Sequence, residues 1–335
     1  MQKVIHYLET NSTDPFYNLA FEETVLKNRR DSDYLLLWQN DNAIIVGQNQ
    51  NAEAEINRSF VEQHGIKVVR RMTGGGAVYH DMGNLNYSFI TDAGDLETLS
   101  MERFTSAVVK ALEHFGLNAE ASGRNDILVE GKKVSGTAQR LMRGRILYHG
   151  TLLFDSKPDM VAGALNVDPE KFKSKSSKSV KSRIGNIRSF LKHDMELAEF
   201  WQELKRQLSG DALTEESLTE EELAEVEKLK NEKYSTWEWN FGRSPKYDLT
   251  NKRRFAGGTL EVGAHVENGT LTEIAFYGDF MSMAPLQPLT EAIKGCRFRR
   301  EDMAEILKRF SIREMFGTIT ADEILDTLFY AGDGA

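Results

Sequence analysis

The chain has 335 residues and a net charge of −9, from 42 Lys and Arg against 51 Asp and Glu. This length provides a well-buried large domain plus a smaller one, and the charge argues against general binding to nucleic acid or to a membrane surface. No targeting or membrane-spanning stretch is evident, so we expect a cytoplasmic protein. The single cysteine, Cys296, excludes an internal disulfide and a multi-cysteine metal site.

The first ninety residues predict a helix followed by short strands. Asp14 and Pro15 form a typical helix start, and apolar spacing continues to about Lys27. The following elements are predicted in this order: paired strands over 34–38 and 43–46, a helix over 55–64, a strand over 66–70, and a hairpin of 77–80 with 85–90.

The middle of the chain predicts a sheet covered by a helix. Residues 97–115 have apolar side chains at helical spacing, and this helix should cover one face of the sheet. The segment 123–139 predicts two strands around a tight turn at Glu130 and Gly131, with another strand over 146–154. Because consecutive hairpins alternate strand direction, we expect a mostly antiparallel sheet.

The last third predicts helices, a linker and a small α+β unit. Pro245 and the polar run 248–254 favour a linker, which divides the chain into domains over 1–246 and 254–335. The predicted elements are helices over 190–208 and 215–230, strands over 259–266 and 272–276, and helices over 288–294, 304–310 and 321–329.

The segment RRMTGGGAVYHD (70–81) indicates a phosphate-handling site. Gly74, Gly75 and Gly76 have no Cβ, so their backbone N–H groups can approach an anion closely. Arg70 and Arg71 add guanidinium groups that suit phosphate oxygens. A glycine triplet alone is typical of a turn, and the arginines are what favour a binding site.

Further polar residues have both a structural and a functional interpretation. Strand alternation sends Lys132 and Lys133 to opposite faces, so one of them faces the functional side unless both are solvated. Asn125 and Asp126 can shape a turn, and His149 lies in an apolar strand where a packed histidine is the commoner case.

The basic run KFKSKSSKSVKSR (171–183) contains no acid. Its composition is too polar to pack, which predicts a mobile segment. Such a segment either remains solvated or closes over a bound nucleotide, and the absence of acids favours the second alternative.

Together, RRMTGGGAVYHD, GRNDILVEGKKVSGTAQ, HGTLLF (149–154) and SKSVKSR (177–183) resemble the lipoate–protein ligase family. WEWNFG (237–242) resembles the junction to the accessory domain of its two-domain members. The resemblance implies an α+β fold, with a mostly antiparallel sheet and flanking helices like those of biotin ligases and class II aminoacyl-tRNA synthetases, plus a small C-terminal domain.

The implied activity has two steps. Lipoate is activated with ATP and Mg²⁺ to lipoyl-AMP, and the lipoyl group passes to a lysine of an apo lipoyl domain. The acceptors implied are 2-oxoacid dehydrogenases and the glycine cleavage H protein, with no nucleic acid or membrane as partner. The uncharged lipoyl chain requires an apolar slot, for which Trp38, Val46 and Val78 are candidate walls.

The resemblance also implies roles for individual residues. Lys133 is matched to the catalytic lysine that touches lipoate and phosphate, with Lys132 as its outward neighbour. The residues implied to contact ATP are Arg71, Gly76, Ala77, Val78 and Tyr79. The other implied substrate-binding residues are Arg70, Thr73, Gly74, Gly75, Asn125, Asp126, Ser135 and His149. Asp126 is the candidate metal ligand, and His149 is expected to orient lipoate rather than transfer a proton.

Two alternatives remain. One is an ATP-independent octanoyl or lipoyl transferase of the same superfamily, whose cysteine-dependent form needs a thiol near the glycine loop. Cys296 lies in the predicted accessory domain, but lysine-dependent forms stay open. The other is a noncatalytic lipoyl-binding relay protein, which is expected to lack Lys133 or the arginines, and these are present.

Overall fold

The computed structural model describes residues 5–94, 102–123, 125–165, 183–210, 213–242, 247, 249–267 and 269–329. These residues form one eight-stranded sheet, two three-stranded sheets and the helices packed on them. Apart from Arg183, the basic segment that we predicted to close over a nucleotide lies outside the described residues.

The strands and helices are named in chain order. The strands are β1 (Ile5–Glu9), β2 (Asp33–Trp38), β3 (Ala43–Val46), β4 (Lys67–Arg70), β5 (Val78–His80), β6 (Asn84–Asp92), β7 (Ala119–Ser122), β8 (Asp126–Val129), β9 (Lys132–Met142), β10 (Arg145–Leu153), β11 (Leu213–Glu215), β12 (Leu249–Phe255), β13 (Gly258–Glu267) and β14 (Thr270–Gly278). The helices are α1 (Pro15–Asn28), α2 (Ala52–Glu55), α3 (Arg58–Gln63), α4 (Glu102–His114), α5 (Pro158–Ala164), α6 (Leu197–Ser209), α7 (Glu220–Leu229), α8 (Trp237–Asn240), α9 (Gln287–Ile293), α10 (Arg300–Leu307), α11 (Ile312–Phe316) and α12 (Ala321–Leu328). None of the helices in the described ranges is long and apolar enough to cross a membrane.

The large sheet has the strand order β11-β1-β2-β6-β10-β9-β8-β7. Among the described strands of this sheet, the parallel pairs are β1 with β2 and β1 with β11, and the other five pairs are antiparallel, so the mostly antiparallel α+β fold is confirmed. The predicted turn between β8 and β9 is also present. Glu130 and Gly131 have φ of 50° and 73°, the left-handed angles that a two-residue hairpin turn requires.

A second sheet has the order β4-β3-β5. It shows that two predicted pairings are wrong, because β2 does not pair with β3 and β5 does not form a hairpin with β6. Trp38 of β2 instead pairs with Asn86 of β6, while Ala43 of β3 pairs with His80 of β5. The short polar segments after β2 and after β5 therefore cross between two sheets.

Helices and sheets form successive layers. Phe104 and Val108 of α4 pack with Phe200 and Leu204 of α6 on one face of the large sheet. The predicted covering helix is thus confirmed from Glu102 onward, where the described part begins. On the other face, α1 shares a core with β2 and β3, and both faces of this helix are buried.

The C-terminal part is a sheet of order β12-β13-β14 packed with α9–α12 in a separate hydrophobic core. The linker prediction for 248–254 is wrong, because Leu249–Phe255 is strand β12, paired with β13. Side chains along β12 alternate between half-buried and exposed, which explains why its sequence is polar. The predicted strands and helices of this part are present with shifted ends, and α11 is additional.

Candidate active site

A cavity lies between the large sheet and the β4-β3-β5 sheet, beside α1. Its wall combines residues from the segments 70–81 and 123–139 with apolar side chains. The lining residues are Leu19, Trp38, Ile45, Arg71, Gly76, Ala77, Val78, His80, Asn86, Asn125, Lys133, Gly136, Thr137, Ala138, His149, Gly150 and Thr151.

The cavity brings together seven of the fourteen residues implied to bind substrate. They are Arg71, Gly76, Ala77, Val78, Asn125, Lys133 and His149. Trp38 and Val78 provide apolar walls as expected, whereas Val46 packs in a neighbouring core. The predicted residues that do not line the cavity are Arg70, Thr73, Gly74, Gly75, Tyr79, Asp126 and Ser135.

Lys133 projects to the cavity from β9. Its Nζ lies 2.7 Å from Oδ1 of Asp126, and both side chains are 36% exposed. Ion pairs this accessible are weak, so Lys133 can exchange Asp126 for an anionic ligand. The neighbouring Lys132 is exposed, which fits its expected outward position.

The backbone of Lys133 also contacts residues 184 and 185, shortly after the described part of the chain resumes at residue 183. Ile184 forms a bridge with Lys133, and the N–H of Gly185 donates to the Lys133 carbonyl at 2.9 Å. Across the β8–β9 hairpin the register shifts, with Leu128 opposite Lys133 and Ile127 opposite Ser135. Such a shift changes which side chains share a face, and Ser135 is fully buried away from the cavity.

Arg71 holds the glycine loop in shape. Its guanidinium donates to the carbonyls of Ile45, Gly74 and Gly76 at 3.0, 2.7 and 2.8 Å, and its Nε donates to Oγ1 of Thr73 at 2.9 Å. Burial lowers the pKa of Arg71 to about 10, so the side chain remains a cation at neutral pH. The cavity therefore has a fixed positive charge in its wall.

Arg70 is placed differently from its neighbour. Its fully buried guanidinium donates to backbone carbonyls on two sides, those of the 47–50 loop and those of α8. The acceptors are the carbonyl oxygens of Gly47, Gln48, Gln50, Trp239 and Asn240. With these contacts Arg70 joins two segments of the protein and does not reach the cavity.

The glycine loop contacts the C-terminal part. The N–H of Gly75, which has a φ of 88°, donates to the carbonyl of Phe280 at 3.1 Å. A Cβ on Gly74 would lie 2.6 Å from the backbone N of Ser282. In this arrangement Gly74 and Gly75 permit close backbone packing, and the Gly75 amide is not directed at a ligand.

The alternation of side chains along β5 explains why Tyr79 does not line the cavity. Val78 and His80 face the cavity, whereas Tyr79 points to the opposite side of β5 and donates to Oδ1 of Asn42 at 2.9 Å. His80 itself was not predicted as a site residue. It is buried and its Nδ1 contacts Nδ2 of Asn40.

A buried polar chain runs from β2 to the glycine loop through α1. Trp38 Nε1 donates to Ser88 Oγ at 2.9 Å, and Ser88 donates to Glu22 Oε1 at 2.6 Å. Glu22 in turn contacts His149 Nδ1 at 2.9 Å, and His149 Nε2 lies 2.8 Å from Thr73 Oγ1. Thr73 thus belongs to the site through His149, although it does not line the cavity.

Sequence reasoning missed Glu22 and Ser88. The available signal was a pair of acidic residues, Glu22 and Glu23, in the middle of α1, between the apolar residues Phe21 and Val25. Glu22 is 1% exposed, and a buried carboxylate needs hydrogen-bond donors close by. Those donors come from β6 and β10, which are far away in the sequence.

Within the described ranges, no group of three or more His, Cys, Asp and Glu side chains is arranged to hold a metal ion. Asp126 is the carboxylate beside Lys133. One carboxylate together with phosphate oxygens is a common ligand set for Mg²⁺, so this donor fits a metal that arrives with a nucleotide.

Comparison with known proteins agrees with this geometry. Residues 14–209 match the lipoyl protein ligase A/B catalytic domain, and residues 244–328 match the bacterial lipoate protein ligase C-terminus. The chain is 41% identical to lipoate-protein ligase LplJ of Bacillus subtilis, with 95% of this chain and 98% of that protein covered. It is 42% identical to lipoate–protein ligase 1 of Staphylococcus aureus, with coverage of 94% and 97%.

Solved structures give the same result. The crystal structure of P. falciparum LipL1 in complex with lipoate matches with a TM-score of 0.79 and 25% identity, covering 92% of this chain and 95% of that one. Lipoate-protein ligase A bound with ATP matches with a TM-score of 0.63 and 31% identity, covering 72% and 99%. The chain therefore belongs to the lipoate–protein ligase family, and the protein is an enzyme of that family.

Proposed function

We propose that the protein activates lipoate with ATP to lipoyl-AMP in the cavity and then transfers the lipoyl group to a lysine of an apo lipoyl domain. One observation carries this proposal. Lys133 and Arg71, from two motifs 62 residues apart in the chain, supply positive charge to one cavity whose other walls are largely apolar. An apolar cavity with a charged end suits an acyl chain that ends in a carboxylate.

In the first step, a carboxylate oxygen of lipoate attacks the α-phosphorus of ATP and the bond to the β-phosphate breaks, which releases pyrophosphate. Both reacting groups are negative and repel each other. The Lys133 ammonium, freed from Asp126, would lie between them and stabilise the charge that gathers on the phosphate oxygens.

In the second step, the neutral amine of the acceptor lysine attacks the acyl carbonyl, the bond to AMP breaks with AMP taking the bonding electrons, and the proton released from the nitrogen passes to solvent. The developing oxyanion needs donors near the former carboxylate. Lys133 is already placed there in the first step. We assign it to both steps, while Arg71 keeps Gly74 and Gly76 in position.

The acyl chain would lie along the apolar wall. Leu19, Trp38, Ile45 and Val78 line this part of the cavity, and burial of the hydrocarbon chain against them supplies affinity. His149 closes the same region and is held by Glu22, so we assign it an orienting role. No proton transfer is assigned to His149.

Mg²⁺ would be bound with the nucleotide, and we propose Asp126 and the phosphate oxygens as its ligands. When bound, the ion neutralises phosphate charge and favours departure of pyrophosphate. The Asp126 carboxylate is accessible at the cavity's edge, and Lys133 is its partner before nucleotide binds.

For the other residues that the resemblance implied to bind substrate, we propose roles that follow from their positions in the structure. Asn125 lines the cavity near Lys133 and is tied to β9 through the Thr137 carbonyl at 3.1 Å. We propose that Arg70 and Tyr79 act as scaffold residues, because their polar groups are used within the protein. Gly74, Gly75 and Ser135 would reach substrate only after a rearrangement of the site.

We also propose the division into a catalytic domain over 1–246 and an accessory domain. The pairing of β12 with β13 supports a start of the accessory domain at Leu249 instead of 254. The acceptors proposed are lipoyl domains of 2-oxoacid dehydrogenases and the glycine cleavage H protein. A cytoplasmic location is proposed as well, supported by a composition with one free cysteine.

The decisive experiment measures lipoate-dependent pyrophosphate release from Mg-ATP, with and without an apo lipoyl domain. Mass spectrometry then follows the mass of that domain. Pyrophosphate release together with a mass gain of one lipoyl group is expected. Modification of the lipoyl domain from an acylated carrier protein, without pyrophosphate release, would replace the proposal with the transferase alternative. If neither reaction occurs, the relay protein is favoured.

A further inference from the structure

His80 carries a buried polar atom that has no partner in the part of the chain that the structure describes. The residue is 3% exposed, it lines the cavity, and its Nε2 makes no hydrogen bond. Buried polar atoms in native proteins are almost always satisfied. Among the described residues, ten buried side-chain N and O atoms lack a hydrogen-bond partner, and His80 is the one of these residues that lines the cavity. A bound ligand is therefore the partner to consider for its Nε2.

Neighbouring amides determine where the proton of His80 lies. Nδ2 of Asn18 lies within hydrogen-bond distance of three oxygens, the carbonyls of Ser12 and Gln39 and Oδ1 of Asn40 (at 2.9 Å), which share its two hydrogens. Asn40 consequently turns its NH₂ group toward Nδ1 of His80, at 3.0 Å. Nδ1 is then an acceptor, and the ring proton must be on Nε2.

The free N–H also points in a defined direction. His80 lines the cavity, whereas Asn40, the partner of its Nδ1, does not, so we infer that the ring edge with Nε2 is the one turned toward the ligand space. Burial, together with the nearby Arg71 and His149, lowers the pKa of His80 to about 3. The imidazole is therefore neutral at physiological pH, and Nε2–H is a permanent, uncharged donor.

The chemistry of the substrate limits what this donor can meet. Under the proposed function, the carboxylate of lipoate is engaged by Lys133 and the nucleotide. The rest of the molecule is hydrocarbon except for the two ring sulfurs. A sulfur of this kind is a weak hydrogen-bond acceptor, and it is the remaining atom that could satisfy Nε2–H.

We propose that Nε2–H of His80 donates to a ring sulfur of the bound lipoyl group, and that this makes the cavity select lipoate over octanoate. The inference rests on the proposed function and adds a specificity-determining residue to it. Octanoate has the same chain length without sulfur, so it would leave the buried donor unsatisfied. Sites built to hydrogen-bond one substrate reject an analogue that lacks the bonding group.

The test compares acid-dependent pyrophosphate release from lipoate and from octanoate. His80→Asn keeps an amide oxygen near the Nδ1 position for Asn40 but removes the donor at Nε2, whereas His80→Gln places an NH₂ group near the Nε2 position. The ratio of kcat/KM for lipoate to that for octanoate is expected to fall about tenfold in His80→Asn. His80→Gln should keep most of the preference.

An unchanged ratio in folded His80→Asn, or an equal loss with both acids, would overturn the proposal. So would a wild-type protein without preference. Proton–nitrogen NMR of the wild-type protein needs no variant: the Nε2–H resonance of His80 should shift with lipoate and not with octanoate. The same shift with both acids would also overturn the proposal.

Failure of the proposed function would give a result that differs from failure of the His80 proposal. In that case wild-type protein would release no pyrophosphate with either acid. Calorimetric binding of lipoate and octanoate without ATP would still measure the selectivity that His80 confers. Tighter binding of lipoate that is lost in His80→Asn supports the role of His80, and equal binding contradicts it.

Discussion

His149 Nδ1 lies 2.9 Å from Oε1 of Glu22, and both side chains are buried. An ionised carboxylate only accepts hydrogen bonds, so this contact places a proton on Nδ1. The other ring nitrogen then contacts the Thr73 hydroxyl, which accepts a bond from Arg71. Glu22 on α1 thus positions His149 and, through Thr73, is linked to Arg71 in the glycine loop.

Glu22→Gln is expected to weaken this chain because the amide cannot accept as strongly from both His149 and Ser88. Loss of a charge-assisted bond costs about 1.5–3 kcal/mol, or roughly 10- to 150-fold in kcat/KM for lipoate. Steady-state kinetics and nitrogen NMR of His149 measure the two effects. The matched control is Glu23→Gln, which removes the contact to Lys233 on the other side of α1. Similar kinetic losses in both variants would refute a positioning role for Glu22.

Lys133→Ala is expected to lower pyrophosphate release by about 10²-fold or more, since a preorganised donor to developing charge is lost. The fold should persist, because the ion pair with Asp126 is accessible and weak. Lys132→Ala, one residue away and exposed, serves as the control and should retain activity. Near-normal release by Lys133→Ala would remove this lysine from the mechanism.

Arg70→Lys is expected to destabilise the fold by about 3 kcal/mol, because an ammonium cannot reach carbonyls on both the 47–50 loop and α8. Urea unfolding monitored by circular dichroism gives this free energy. If Arg70 instead contacted substrate, the variant would keep its stability and lose only substrate affinity.

Gly47→Ala is expected to disrupt the glycine loop. A Cβ at position 47 would lie 2.0 Å from the carbonyl oxygen of Gly75, and relieving that overlap costs about 1–3 kcal/mol. Gly76→Ala is the comparison for stability, because its nearest neighbour would be 3.9 Å away. Thermal unfolding of both variants decides the matter, and equal melting temperatures would show that the loop adapts freely.

The depressed pKa of His80 predicts acid sensitivity. The folded protein keeps this histidine neutral down to a pH of about 3, while the unfolded chain binds the proton near its ordinary pKa of 6.5. Stability from this group is therefore complete above pH 6.5 and is lost as the pH falls toward 3. Between pH 7 and 5 the loss is about 2 kcal/mol.

Chemical unfolding at both pH values, in wild-type protein and in His80→Asn, measures this contribution. The variant should lose less stability than the wild type over the same interval, since it has no titrating ring at position 80. An identical pH dependence in the two proteins would mean that His80 is not buried as a neutral group.

Local patterns predicted much of the secondary structure. Asp14 and Pro15 start α1 as expected, and Glu130 and Gly131 form the turn between β8 and β9. These features depend on residues close in sequence, whose conformational preferences act directly on the backbone. The same locality explains the errors. Nothing in the residues between β2 and β3 distinguishes a hairpin turn from a crossing between two sheets.

The candidate site shows the same difference between features that depend on single residues and features that depend on distant partners. The sequence by itself determined that Arg71, Lys133 and the glycine loop are chemically suited to an anionic substrate, because charge and the lack of a Cβ are properties of single residues. Only the tertiary structure decided that Arg70 faces the protein interior, that Glu22 holds His149, and that His80 presents a free donor. Those roles depend on partners supplied by strands and helices that are distant in sequence. Burial among these elements decides which polar groups form hydrogen bonds within the protein and which remain available to a ligand.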